Sequence, residues 1–296
     1  MPRPGSIGPR GVLTASPGMV RLPDGIDVSA WTLGGALPSP TIRARRGDLF
    51  QVQFLNQLPQ STTMHWHGML VPSDADGHPR NAVEPGGSFQ YAFVVEQRAG
   101  TCWYHPHAHH NTAEQVQRGM AGFLIVSDEE EDALGLPDGD REILVLLQDR
   151  SDDWSNAFDY APTQGDLRSG MLRGRMFANC VPNAAVMLRP GPYRLRILNG
   201  SNARVYLLGL EGGRPLTIIG NDAGLLPAPA TVSTVYLGVG ERLDCIVDLT
   251  DVPAGQKVRM RSMAFDSVDD FPVGNPQGAE MDLLELHRID GEHQPR

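Results

Sequence analysis

Two short motifs hold most of the chemistry visible in this sequence, His65-Trp66-His67-Gly68 and Trp103-Tyr104-His105-Pro106-His107. Each sets two imidazoles at positions i and i+2, which an extended strand projects to one face; two neighbouring strands could therefore bring four imidazoles to one locus. Imidazole suits copper and zinc, whereas calcium and magnesium take oxygen donors, so the pattern points to a transition metal. A lone His-x-His is as readily a hydrogen-bonding pair as a ligand pair, but two with matched aromatic flanks favour a metal site, with a generic zinc site the lesser option. All histidines except His287 and His293 fall between His65 and His110. Trp66, Trp103 and Tyr104 read as packing residues that hold the ligand strands, and His78, His109 and His110 as solvated or supporting groups. Asp76, in Ser73-Asp74-Ala75-Asp76-Gly77, reads equally as a turn residue or as a carboxylate placed to handle protons.

The three cysteines, Cys102, Cys180 and Cys245, form no closed disulfide framework and no CxxC pair. A blue copper centre needs a thiolate, two imidazoles and commonly a weak axial Met. No His-Cys-His occurs, and Thr112 stands five residues after His107, in the place of an axial Met. Cys102 is therefore expected to be a small buried residue, and the other two to be structural.

The elements that must position these groups are strands. Phe50, Val52 and Phe54 alternate with Gln51 and Gln53, the period of a half-buried strand. Similar reasoning places strands near residues 89–95, 121–126, 143–148, 193–198, 216–219, 234–237, 243–249 and 258–263, separated by turns such as Glu84-Pro85-Gly86-Gly87. One short helix is predicted over 112–118, with Thr112 and Gln115 as a capping box and Gly119 as its stop. The acidic run within 127–140 reads as a solvated loop and as the domain boundary. The tail from Asp290 to Arg296 reads as the start of a linker.

A length of 296 residues suits two β-rich domains, and 33 Gly with 24 Pro suit many short strands better than long helices. The formal net charge of −10 argues against nucleic acid or an anionic membrane as partner. No stretch is long and apolar enough for a membrane span, and the first residues lack the apolar core of a signal peptide.

Residues 64–68 and 102–109 resemble the first two copper motifs of multicopper oxidases, most closely three-domain bacterial laccases of the copper-efflux type. The similarity continues through Pro38 to Gly47, Met120-Ala121-Gly122, Leu195 to Arg204 and Asp222 to Pro227, and so covers essentially the whole chain. It implies an all-β protein of two cupredoxin-like Greek-key domains, residues 1–132 carrying both motifs and 133–296 ending in a linker, with copper as cofactor. By that resemblance His65 would bind the type 2 copper, His67 and His105 one copper of the type 3 pair, and His107 the other. Asp76 would help deliver protons during oxygen reduction. The family couples one-electron oxidation of phenols, amines or cuprous ion to reduction of O2 to water. Its third domain supplies four further histidines and a His-Cys-His for the type 1 copper, which this sequence does not contain. The chain alone is therefore expected to be inactive as an oxidase, its third domain lost by truncation or supplied in trans. A stand-alone copper-sequestering protein is the alternative, and a cupredoxin-like interaction module a third. Relatives are usually exported, which implies a periplasmic or extracellular location.

Overall fold

The computed structural model describes residues 1–23, 25–153, 156–266 and 277–290. The expectation of a linker over the tail beyond Asp290 lies outside them. As the composition implies, the chain is nearly all-β.

Residues 6–127 form two facing sheets. One has the order β3-β2-β5-β7, from β2 (Arg10–Arg21), β3 (Asp27–Leu33), β5 (Leu49–Asn56) and β7 (Ser88–Val94). The other has the order β1-β4-β9-β8-β6, from β1 (Ser6–Ile7), β4 (Thr41–Arg45), β6 (Met64–His67), β8 (Gly100–Pro106) and β9 (Gly122–Ser127). Between them lies a core of Phe50, Phe54, Trp66, Tyr91, Tyr104 and their aliphatic neighbours. The alternation of Phe50, Val52 and Phe54 holds, since all three are buried on one face of β5 while Gln51 is exposed.

Residues 142–288 form a second pair of sheets. The larger runs β12-β11-β10-β14-β19-β16-β17, from β10 (Glu142–Arg150), β11 (Arg175–Ala178), β12 (Val181–Pro182), β14 (Pro192–Asn199), β16 (Leu216–Asn221), β17 (Gly224–Val232) and β19 (Arg242–Asp248). The smaller runs β13-β21-β20-β15-β18, from β13 (Ala185–Leu188), β15 (Tyr206–Leu210), β18 (Thr234–Leu237), β20 (Lys257–Ser262) and β21 (Met281–Arg288). Leu195, Ile197, Leu208, Cys245, Met260 and Leu286 lie in the core between them. Long β2 escapes an alternation search because Gly11, Pro17 and Gly18 interrupt its pattern.

The two halves meet across the outer face of β8 and β9. Trp103, Phe123 and Ile125 pack on Leu144, Leu146 and Leu198 in one buried cluster. Beside it Arg196 donates to Thr101 Oγ1 at 2.9 Å, Glu131 at 3.0 Å, Glu142 at 2.7 Å and Asp244 at 3.2 Å. Arg194 donates to Glu131 at 2.7 Å and Asp244 at 2.6 Å. The guanidiniums and carboxylates of this network are nearly dry, a situation tolerable only because each charge faces an opposite one.

Two sequence expectations need correcting. Helix α1 spans Thr112–Gln117, but no capping box forms. Thr112 is already helical, its hydroxyl donates to Ala108 O at 3.1 Å, and Gln115 turns inward to accept from Thr62 Oγ1 at 2.7 Å and donate to Ser61 O at 2.9 Å. A buried amide satisfied by the segment before β6 outcompetes the local cap. The acidic run, for its part, is no solvated loop throughout. Residues Glu129–Ala133 form a second helix, α2, capped by Asp128, whose carboxylate accepts from Glu131 N at 2.8 Å. Asp128 and Glu131 are buried, because Arg98 and the network arginines draw them in.

Candidate metal centre

The register of β6 against β8 assembles the site. His65 pairs directly with His105, His67 with Trp103, and Trp66 with Tyr104. The strand period then sends His65, His67, Trp103 and His105 to the outer face and Trp66 with Tyr104 into the core. Trp66 packs edge-on against Phe50 and Tyr91, at centroid distances of 4.7 and 5.1 Å, and Tyr104 donates to Pro40 O at 2.6 Å. These inner aromatics anchor the backbone whose other face carries the histidines, as their reading as packing residues supposes.

One nitrogen from each of His65, His67 and His105 lies within 4.8 Å of the other two. His67 Nδ1 and His105 Nε2 are 3.2 Å apart. Two imidazoles on one tetrahedral ion, with bonds of about 2.05 Å, stand about 3.3 Å apart, so the pair already has a ligand-to-ligand spacing. His107 stands beside this trio, its ring centroid 5.3 Å from that of His65 and 6.2 Å from that of His105. His109 and His110 are exposed, their ring centroids 3.8 Å apart and their planes tilted by 55°. His78 lies in the loop before a short 3-10 turn.

The hydrogen bonds fix which nitrogens are free. His65 Nδ1 faces the Asp76 carbonyl at 2.9 Å and the Asp76 carboxylate at 3.1 Å, and His105 Nδ1 faces Pro106 O at 2.8 Å. Carbonyl oxygens only accept, so both Nδ1 atoms carry the proton and both Nε2 atoms present a lone pair. This is the ring orientation that ligand histidines adopt when a neighbouring oxygen holds the other nitrogen. Asp76 is thus seated against His65, half-exposed, on a loop held close by Gly77. That glycine has φ +71°, and a Cβ there would lie 2.0 Å from Met64 O.

Electrostatics agree with a ligand role. Burial, then the charge of Arg242 and the neighbouring histidines, push the His67 imidazole down to about 4. Burial holds that of His105 well below its ordinary value, against the partial support of its bond to Pro106. A metal ligand must be neutral imidazole, and these two are. Three nitrogens converge with no carboxylate among them, a donor set that fits copper or zinc. Trp103 lies against two of the three rings, 4.1 Å from that of His105 and 5.1 Å from that of His67, and its indole N–H is buried without a partner among the described residues.

All three thiols are free and buried. Burial raises Cys102 to about 11 and Cys180 to about 11, so neither offers a thiolate at neutral pH.

Sequence reasoning passed over Arg242, Gly240 and Asp222, which reach the site from the second half of the chain. Arg242 donates to Thr101 O on β8 at 3.1 Å and to the Asp222 carboxylate at 2.7 Å. A signal existed in the strand period: Arg242 and Asp244 alternate with Leu243 and Cys245, as Arg194 and Arg196 alternate with Leu195 and Ile197. Charges on one face of two apolar strands must be paired or functional.

Residues 14–131 match the family model described as multicopper oxidase. The chain is 38% identical over 227 residues to the cell division protein FtsP of Xenorhabdus nematophila, covering 76% of this chain and 47% of that protein. It is 32% identical over 253 residues to the multicopper oxidase mco of Staphylococcus haemolyticus, covering 83% of this chain and 54% of that protein. The chain spans about half the length of these relatives. Among solved structures it is similar to the laccase-like multicopper oxidase CueO of Ochrobactrum sp., with TM-score 0.86 and 28% identity over 100% of this chain and 66% of that one. The multicopper oxidase McoA of Aquifex aeolicus is similar at TM-score 0.86 and 30% identity, over 97% of this chain and 64% of that one.

Proposed function

Because the chain belongs to the multicopper oxidase family, we propose that these 296 residues carry the copper-binding part of a laccase-like oxidase. In that reading His65, His67, His105 and His107 supply half of a trinuclear copper site. The other ligands and the type 1 copper come from polypeptide outside these residues. The overall reaction is one-electron oxidation of a phenol, an amine or cuprous ion coupled to reduction of O2 to water. Export to the periplasm or cell exterior goes with this reading, and among the described residues no helix is long and apolar enough to cross a membrane. The observation that carries the proposal is the convergence of three imidazole nitrogens within 4.8 Å on one sheet face.

Bound copper would supply the redox chemistry, passing electrons to oxygen. This chain's own residues do the rest. Asp76 fixes the His65 ring through Nδ1 and places a half-exposed carboxylate between solvent and the site. Trp103 shields His67 and His105 from water on the side facing the second domain.

A second reading, a copper-holding protein without oxidase activity, is favoured by the similarity to proteins named for cell division. One experiment separates these. The chain is loaded with copper, its metal content and visible absorption are measured, and oxygen uptake on a phenol is followed. The oxidase-part reading expects copper retention that is lost in a His65→Ala, His67→Ala, His105→Ala triple variant. It also expects no blue thiolate band and no oxygen uptake until a domain bearing His-Cys-His is added. No copper retention would sink both readings; retention without any uptake after that addition would leave the second.

A further inference from the structure

We infer that the second half of the chain, whose described residues give the cluster no ligand, sets the orientation of ligand His67 through a clamp made of Asp222, Gly240 and Arg242. This rests on the copper reading above. Arg242 opens β19 and is almost fully buried. Its guanidinium donates through Nε to Thr101 O at 3.1 Å, through one terminal nitrogen to Gly240 O at 3.0 Å and through the other to Asp222 O at 3.1 Å. The Asp222 carboxylate, 2.7 Å from that first terminal nitrogen, also accepts from the Arg242 N–H at 2.7 Å. One side chain therefore ties three backbone segments together: the strand that bears His105, the Asp222 turn and the loop before β19.

That loop delivers Gly240 to the metal centre. Gly240 has φ +76°, and a Cβ on it would lie 3.3 Å from His67 Cε1 and 3.6 Å from Trp103 Cζ2. Its bare backbone thus abuts the Cε1–Nε2 edge of the imidazole, next to the Nδ1 that faces His105. With Trp103 against its plane and Gly240 against its edge, His67 has little freedom to rotate. Just past the end of β6, Gly68 is packed closely too, since a Cβ there would lie 2.6 Å from an Arg242 terminal nitrogen. The contact continues at Gly224, where a Cβ would lie 2.8 Å from Ala99 O. The Asp222-Ala223-Gly224 segment therefore has a task at the metal centre although it binds no metal. Arg242 is a positioning residue, since it acts through Gly240 and His67.

A general interface staple would share these hydrogen bonds, so the test must isolate the path through His67. Copper(II) affinity of the full 296-residue chain is measured by calorimetric titration for wild type, Arg242→Gln, Arg242→Lys, His67→Ala and the His67→Ala, Arg242→Gln pair. Loss of an orienting partner costs about tenfold in metal affinity, so Arg242→Gln is expected to fall by that factor and Arg242→Lys to recover part of it. In the His67→Ala background the Arg242→Gln change should add nothing. An equal loss with and without His67, or no loss at all in a wild type that binds copper, would overturn the inference. If wild type binds no copper, the copper reading fails by itself, and the clamp is judged on metal-free protein by the imidazole nitrogen spectrum of His67. There Arg242→Gln must alter the signals of His67, and an unchanged spectrum overturns the clamp.

Discussion

His67 shows how much a single ring can report. Its Nδ1 lies 3.2 Å from His105 Nε2, which is committed as an acceptor because the His105 Nδ1 proton goes to Pro106 O. In the metal-free chain the proton of His67 must then sit on Nδ1. Metal binding through Nδ1 would move it to Nε2. Long-range proton–nitrogen spectra before and after zinc addition check this, and an Nε2 proton in the metal-free chain would contradict the bonding pattern. Asp76→Asn keeps the main-chain carbonyl that holds His65 and removes only the charge, so copper affinity should fall by less than about tenfold. Gly77→Ala should be worse for folding than for charge. Its Cβ cannot fit beside Met64 O at a positive φ, and a loss of about 3 kcal/mol is expected in denaturant unfolding.

At the scale of elements, the strand pair β6 and β8 was legible because its signal is local: His65 and His67, or His105 and His107, declare their face by spacing alone. The partners of those elements were not legible, because they come from far along the chain. Arg242 reaches Thr101 across 141 positions, and Arg194 reaches Glu131 across 63. The same blindness explains the acidic run. Nothing near Asp128 in sequence says that Arg98 and the Ala99 N–H will cover it, yet the carboxylate accepts from them at 2.7 and 3.0 Å. Burial alone would raise this carboxyl, but the N–H groups of Ala99 and Glu131 and the Arg98 guanidinium outweigh it and hold it at about 2. A lowered carboxyl stabilises the fold above its unfolded value and loses that contribution as pH falls toward 2. Asp128→Ala should therefore cost about 2 kcal/mol at neutral pH, as a lost helix cap and an uncovered N–H at Ala99. The gap to wild type should narrow between about pH 4 and pH 2 in acid-titrated unfolding curves.

At the scale of the molecule, the histidine-bearing face of the first half is also the face on which the second half rests. Trp103 touches both the His67 and His105 rings and the buried cluster with Leu144, Leu146 and Leu198. The charge network beside it should make the halves unfold together. Arg196→Met would strand Glu131, Glu142 and Asp244 short of one partner, cost about 3 kcal/mol and split a single calorimetric transition into two. Two transitions already present in wild type would show that the interface does not couple them. The pairing of Trp66 with Tyr104 on the opposite side of the ligand strands carries a different consequence. A slip of β6 by one residue would turn the His65 and His67 imidazoles into the aromatic core and put Trp66 out in water, forfeiting about 3 kcal/mol for that side chain alone. Folding thereby proofreads the histidine cluster: a chain that has found its core has already aligned its imidazoles, and no ion is needed as a template.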